Sequence, residues 1–148
     1  MYGKVEDTPV ERFDELYAAN LRGPYLLTQR CLPLLKSSRG QVVFINSSTG
    51  LAAPAAVGVF AATQHALKAI ADALRDEVNE AGVRVLSVFP GRTATPRMLA
   101  RYATEGRVYQ PELLLQPGDV ASVVVSSLAL PRTAEVTNVS IRPQAKSY

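Results

Sequence analysis

Two short and almost wholly apolar runs, "QVVFINSS" from residue 41 and "VRVLSVF" at 83–89, flank a single helical stretch. A strand with one wet face alternates apolar and polar residues, whereas a strand that is apolar throughout must be covered on both faces, as in parallel sheets. Between the runs, Leu67, Ile70, Ala71, Leu74 and Val78 recur on one stripe of a helix expected over about 58–81, and Gly82 follows where such a helix would stop. Strand, helix and strand of these lengths make a parallel crossover unit of right-handed sense.

The remainder extends that pattern. Thr8-Pro9-Val10-Glu11 has the form of a capping box with proline at the first helical position, so a helix is expected to begin there. Phe13, Leu16, Tyr17 and Leu21 then recur at helical spacing, continuing through Leu27, Cys31 and Leu34. Pro24 interrupts this helix, because proline cannot donate to the carbonyl four residues back, that of Asn20. A kink is expected at that point. Residues 95–116 mix short helical pieces with turns, Pro117 opens a third helix to about Leu130, and "EVTNVSIRP" closes the chain as a third strand. With no repeat and no linker, residues 1–148 read as one α/β domain, a parallel sheet of about three strands with flanking helices.

Composition narrows the function classes. Hydrophobic residues at 47% and charged ones at 20% describe a globular chain, and the net charge of +3 is spread as single arginines rather than a basic block. No nucleic-acid partner is expected. Cys31 is the one cysteine, so an internal disulfide and a cysteine metal site are excluded and a reducing, cytoplasmic setting is expected. The longest apolar runs are short or broken by Pro54 and Gly58, and acids occupy the N-terminal stretch where a signal peptide needs an apolar core. Neither a membrane span nor a leader is expected, and no metal site is indicated.

In parallel α/β sheets ligands bind beyond the carboxyl ends of the strands. Those ends here are Asn46-Ser47-Ser48 and Phe89-Pro90-Gly91. Ser47 is followed thirteen residues later by Phe60, four later by Gln64, and then by "PGRTAT". This spacing resembles the short-chain dehydrogenase/reductase family, whose pattern is a serine, a tyrosine thirteen residues on, a lysine four after that and a later P-G-x-x-x-T. "YAANLRGPYLLTQRCLPLLKSSRGQVVFINSSTG" and "ALKAIADALRDEVNEAGVRVLSVFPGRTATP" resemble the family's asparagine-bearing helix with its serine strand, and its catalytic helix with the next strand and cofactor loop.

The resemblance implies a partial Rossmann-like, doubly wound sheet and an ancestral NAD(P)-dependent hydride transfer between a small-molecule alcohol and a carbonyl. It implies that Ser47 bonds the substrate oxygen, that the main-chain carbonyl of Asn20 holds a water, and that Pro90, Gly91, Thr93 and Thr95 face the nicotinamide. It also implies self-association through the helices at 9–35 and 60–81. Two positions depart from the pattern: Phe60 stands where the family has its proton-donating tyrosine, and Gln64 where it has its lysine. A phenyl ring has no hydroxyl and an amide has no charge.

Lys68, one turn beyond Gln64 and about 6 Å along the axis, and Tyr25, Tyr102 and Tyr109 remain as candidate substitutes. His65, the lone histidine, is expected on the helix surface. The sequence also has no glycine-rich strand-to-helix run to cradle a pyrophosphate. The resemblance therefore implies a truncated and catalytically impaired oxidoreductase-like chain. The alternatives are a non-enzymatic dimerisation or regulatory module, or a carbonyl reductase completed by another chain.

Overall fold

A computed structural model describes residues 3–145. Its centre is a three-stranded parallel sheet of β1 (Gln41–Ile45), β2 (Arg84–Pro90) and β3 (Asn138–Ile141), in the order β1-β2-β3. Val42 aligns with Val85 and Ile45 with Val88, while Val88 aligns with Val139 on the other side. The middle strand is covered on both faces, with Val85, Ser87 and Val88 wholly out of contact with solvent. This is why its sequence does not alternate.

The helices are α1 (Val10–Tyr17), α2 (Gly23–Ser38), α3 (Gly58–Val78), α4 (Pro96–Thr104) and α5 (Pro117–Leu128). Along one side of the sheet, Leu67, Ala71, Leu74 and Val78 of α3 pack with Leu21, Phe44 and Val85. On the other, Ser127 and Leu128 of α5 lie beside Gln41 and Leu86, and the Gln41 side-chain amide donates to the Leu128 carbonyl at 3.3 Å. Helices on both faces of a parallel sheet are the Rossmann-like arrangement. Past α3 the backbone turns at Gly82, whose φ of +72° falls in the left-handed region that glycine alone enters without strain. No helix among the described residues is long and apolar enough to cross a membrane.

Several local expectations need correction. Thr8 does not cap α1: Pro9 holds the cap position, and the Thr8 hydroxyl donates instead to the Lys4 carbonyl at 2.7 Å. Pro24 does not kink a plain α-helix. The turn before it widens to a π-helix over Ala18–Arg22, in which the Gly23 amide reaches back five residues to the Ala18 carbonyl. Such a single widened turn is a rare feature inside an α-helix. A second proline, Pro33, lies inside α2.

The expected third strand is shortened to four residues. Glu135 turns its carboxylate to the Val85 amide at 2.7 Å, and the Thr137 carbonyl accepts from the Ser87 amide and from Arg75. Side chains thus supply bonds that a longer ladder would have made. Residues 95–116, read as mixed, contain the regular helix α4, capped by the Thr95 hydroxyl accepting from the Met98 amide at 3.2 Å. Met98 and Tyr102 anchor it in a small cluster with Leu114.

Candidate active site

The chain leaves β1 through Asn46 and Ser47 and leaves β2 through Pro90 and Gly91, so both crossings point to one end of the sheet. There they open on a cavity of about 530 Å³. All eight residues singled out in the sequence line it: Asn20, Ser47, Phe60, Gln64, Pro90, Gly91, Thr93 and Thr95. They come from the π-turn, both strand ends, the first turns of α3 and the approach to α4. The substitutes do not join them, since Lys68 pairs with Asp72 and neither it nor Tyr25, Tyr102 or Tyr109 is on the wall. His65 is exposed on α3, its Nδ1 lying 2.9 Å from the Ala61 carbonyl.

Ser47 is held by its own turn. Its Oγ accepts from the Thr49 amide at 3.2 Å and from the Thr49 hydroxyl at 2.9 Å, and donates to no described residue. Ser47 lines the cavity and keeps hydrogen-bonding capacity beyond these two contacts. Beneath it the buried Asn46 ties the strand end to α3, accepting from the Ser47 amide at 2.7 Å and donating to the Gln64 carbonyl at 3.0 Å. A Cβ at Gly50 would come 2.7 Å from Asn46 Oδ1 and 3.2 Å from the Gln64 carbonyl oxygen, so glycine lets these two segments meet.

A residue that the sequence reading missed links the helices. The Thr63 hydroxyl, 2% exposed, donates to the Phe60 carbonyl at 2.8 Å and accepts from Asn20 Nδ2 at 3.1 Å and Gln64 Nε2 at 3.3 Å. One hydroxyl thus holds the π-turn against the start of α3. Its signal was faint, because a threonine one residue before Gln64 on an apolar helix reads as packing. Arg97 was also missed: it lines the cavity with its guanidinium carbon 5.5 Å from the centroid of the Phe60 ring. Among the described residues it is the only charged side chain on this wall. No cluster of metal-ligating side chains occurs among the described residues.

Behind α4, three arginines converge on Glu105, with Arg101 Nε at 2.5 Å, Arg107 Nη1 at 3.5 Å and Arg92 Nη2 at 3.9 Å. Partial burial pushes the carboxyl up, but the Arg101 hydrogen bond and the charges of Arg101, Arg92 and Arg107 outweigh it and hold it below the ordinary glutamate range. A depressed folded pKa contributes stability above the unfolded value that is lost as pH falls through the folded one. Acid titration of the melting temperature is therefore expected to fall below about pH 4.5, and Glu105→Gln to lower the neutral-pH value and flatten that fall. Equal acid sensitivity in parent and variant would contradict this.

Comparisons with known proteins bear on the family and the fold. The pattern defining the short chain dehydrogenases matches residues 1–106. An uncharacterised oxidoreductase of Staphylococcus epidermidis is 33% identical over 141 residues, covering 95% of this chain and 59% of its own length. A short-chain dehydrogenase from Streptomyces avermitilis superimposes with a TM-score of 0.78 at 25% identity, over 95% of this chain and 56% of the other. An alcohol dehydrogenase from the archaeon Thermococcus sibiricus, solved with 5-hydroxy-NADP, gives 0.82 at 23% identity, over 99% and 61%. The fold and the cavity at its strand ends thus define an oxidoreductase-like Rossmann chain. More particularly, the chain belongs to the short chain dehydrogenase family. It spans about 59% of the length of the staphylococcal relative.

Proposed function

We propose that this chain carries the substrate side of a short chain dehydrogenase active site in catalytically impaired form, with Phe60 and Gln64 in the seats of the acid and its cation. One observation carries the reading: among the described residues lining the cavity there is no Asp, Glu, His, Cys, Tyr or Lys. Arg97 is the one ionisable group, and a guanidinium does not release its proton near neutrality. Ser47 can orient a carbonyl or alcohol oxygen, but nothing beside it can give or take the proton that hydride transfer requires. Losing a positioned general acid costs on the order of 100- to 10,000-fold in rate.

The residues present fit one end of a nicotinamide cofactor. Gly91 lines the wall with no side chain, and the Thr93 and Thr95 hydroxyls keep bonding capacity beyond their contacts to the Gly91 carbonyl and the Met98 amide. When bound, that group would supply or accept the hydride. Gln64 can offer a neutral hydrogen bond there but no charge. The pyrophosphate has no glycine-rich cradle in this sequence. Titration of the purified chain with NADPH and NADH is expected to show no saturation below about 1 mM, a dissociation constant worth roughly 4 kcal/mol. Micromolar binding would overturn this account of the cofactor.

A second reading, a self-association module, is favoured by α1 and α2. Phe13, Tyr17, Tyr25, Leu27 and Leu34 on these helices all stay at least 41% exposed. A second copy covering that face would bury them. This reading is compatible with the first, because it uses none of the cavity residues.

A further inference from the structure

The cavity at the strand ends carries one charge among its described lining residues, the guanidinium of Arg97. The others are neutral, apolar at Phe60, Met98 and Val120 and hydroxyl-bearing at Ser47, Thr93 and Thr95. No described residue forms an ion pair or a hydrogen bond with Arg97. The positions three and four ahead of it on α4 are Ala100 and Arg101, so its own helix offers no acid to pair with. Asp119, the acid beside the α5 lining residues Pro117 and Val120, turns back on its own helix and accepts from the Gln116 amide at 2.8 Å.

Helix stability does not account for an arginine at this place. Arg97 lies in the first turn of α4, where a cation opposes the helix dipole, and that turn holds no acid. Its guanidinium carbon is instead 5.5 Å from the centroid of the buried Phe60 ring, which fixes it against the cavity. An aromatic face attracts a cation without engaging it in conventional hydrogen bonds, so the planar fork of donors keeps its capacity for a ligand. The cavity, about 530 Å³, is of a size that suits a small molecule.

We propose that this cavity takes a small-molecule carboxylate, paired with Arg97, in preference to a neutral alcohol or carbonyl. The proposal rests on the reading of the cavity as the substrate side, and it narrows the ligand class to hydroxy acids and oxo acids. A guanidinium fork matches the two oxygens of a carboxylate. The apolar Phe60 and Met98 beside it lower the local dielectric, which strengthens such a pair. Binding of this kind involves no proton transfer, so it requires neither an acid at position 60 nor a cation at position 64.

Calorimetric titration of the 148-residue chain with pyruvate and with levulinate, each beside its uncharged methyl ester at constant ionic strength, decides the matter. At least one acid is expected to bind one-to-one with a dissociation constant of about 1 mM or tighter, and about tenfold or more tighter than its ester, since charge-assisted bonds are the strong ones. Arg97→Gln is expected to abolish that preference. Arg132→Gln, which removes the same charge from an exposed arginine that does not line the cavity, should leave it unchanged. Saturation by neither acid would overturn the proposal, as would equal loss of the preference in both variants. Ser47→Ala tells its failure from that of the reading beneath it. Equal binding of acid and ester that Ser47→Ala weakens overturns the proposal and leaves the substrate-side reading standing. An Arg97-dependent preference in a chain whose binding Ser47→Ala leaves unchanged supports the proposal and overturns Ser47 as the anchor of the substrate oxygen.

Discussion

In the chain carrying both Phe60→Tyr and Gln64→Lys, the new phenol is expected to titrate about 1–3 pH units below the same phenol in Phe60→Tyr alone. Position 60 is only 4% exposed, and burial by itself raises a phenol's pKa by disfavouring the phenolate. Position 64 lies one turn further along α3 on the same face and lines the same cavity, within reach of an i,i+4 pair. An ammonium there favours the phenolate. Arg97, over the ring in the parent, is common to both variants and cancels in the difference. The ultraviolet absorbance of the phenolate against pH gives the measurement without any substrate or cofactor. Coincident curves would show that the two positions do not form an acid and cation pair.

Phe89→Ala is expected to destabilise the chain by about 3–5 kcal/mol, the usual cost of emptying a phenylalanine site in a core. Phe89 is 1% exposed, aligns with Ser140 on β3 and immediately precedes Pro90 and Gly91 of the cavity. Single domains are stable by only about 5–15 kcal/mol, so the variant should unfold at much lower urea. Val10→Ala, at a site 65% exposed, should change stability by less than about 0.5 kcal/mol. A Phe89→Ala loss as small as that would mean the middle strand is not the packed centre of this fold.

The sequence made the layered architecture legible because its signals were long and mutually consistent. Two almost wholly apolar runs read as strands covered on both faces, which holds for β2 but not for β1, an outer strand of the sheet whose Ile45 is 56% exposed. The stripe from Leu67 to Val78 read as the face of a helix packed on them. Pro24 marked the right turn but not its form, since the missing donor is equally compatible with a kink or the π-turn found at Ala18–Arg22. The α4 helix escaped because nine residues leave little room for periodicity, and its cap at Thr95 looked like part of a loop.

Within the cavity, the family resemblance picked out eight residues, and the strand ends of the parallel sheet bring them to one wall. Thr63 and Arg97 were illegible for a different reason. Their places depend on tertiary approach, of the π-turn to α3 in one case and of the α4 start to Phe60 in the other.

The central claim, a dehydrogenase-type cavity without its acid, is tested most directly by following NADPH and NADH oxidation by the unaltered chain with a panel of aldehydes and ketones. The expected result is no oxidation above that in solution. Turnover at about 1 s⁻¹ or faster, within the range of ordinary enzymes, and abolished by Ser47→Ala, would contradict it.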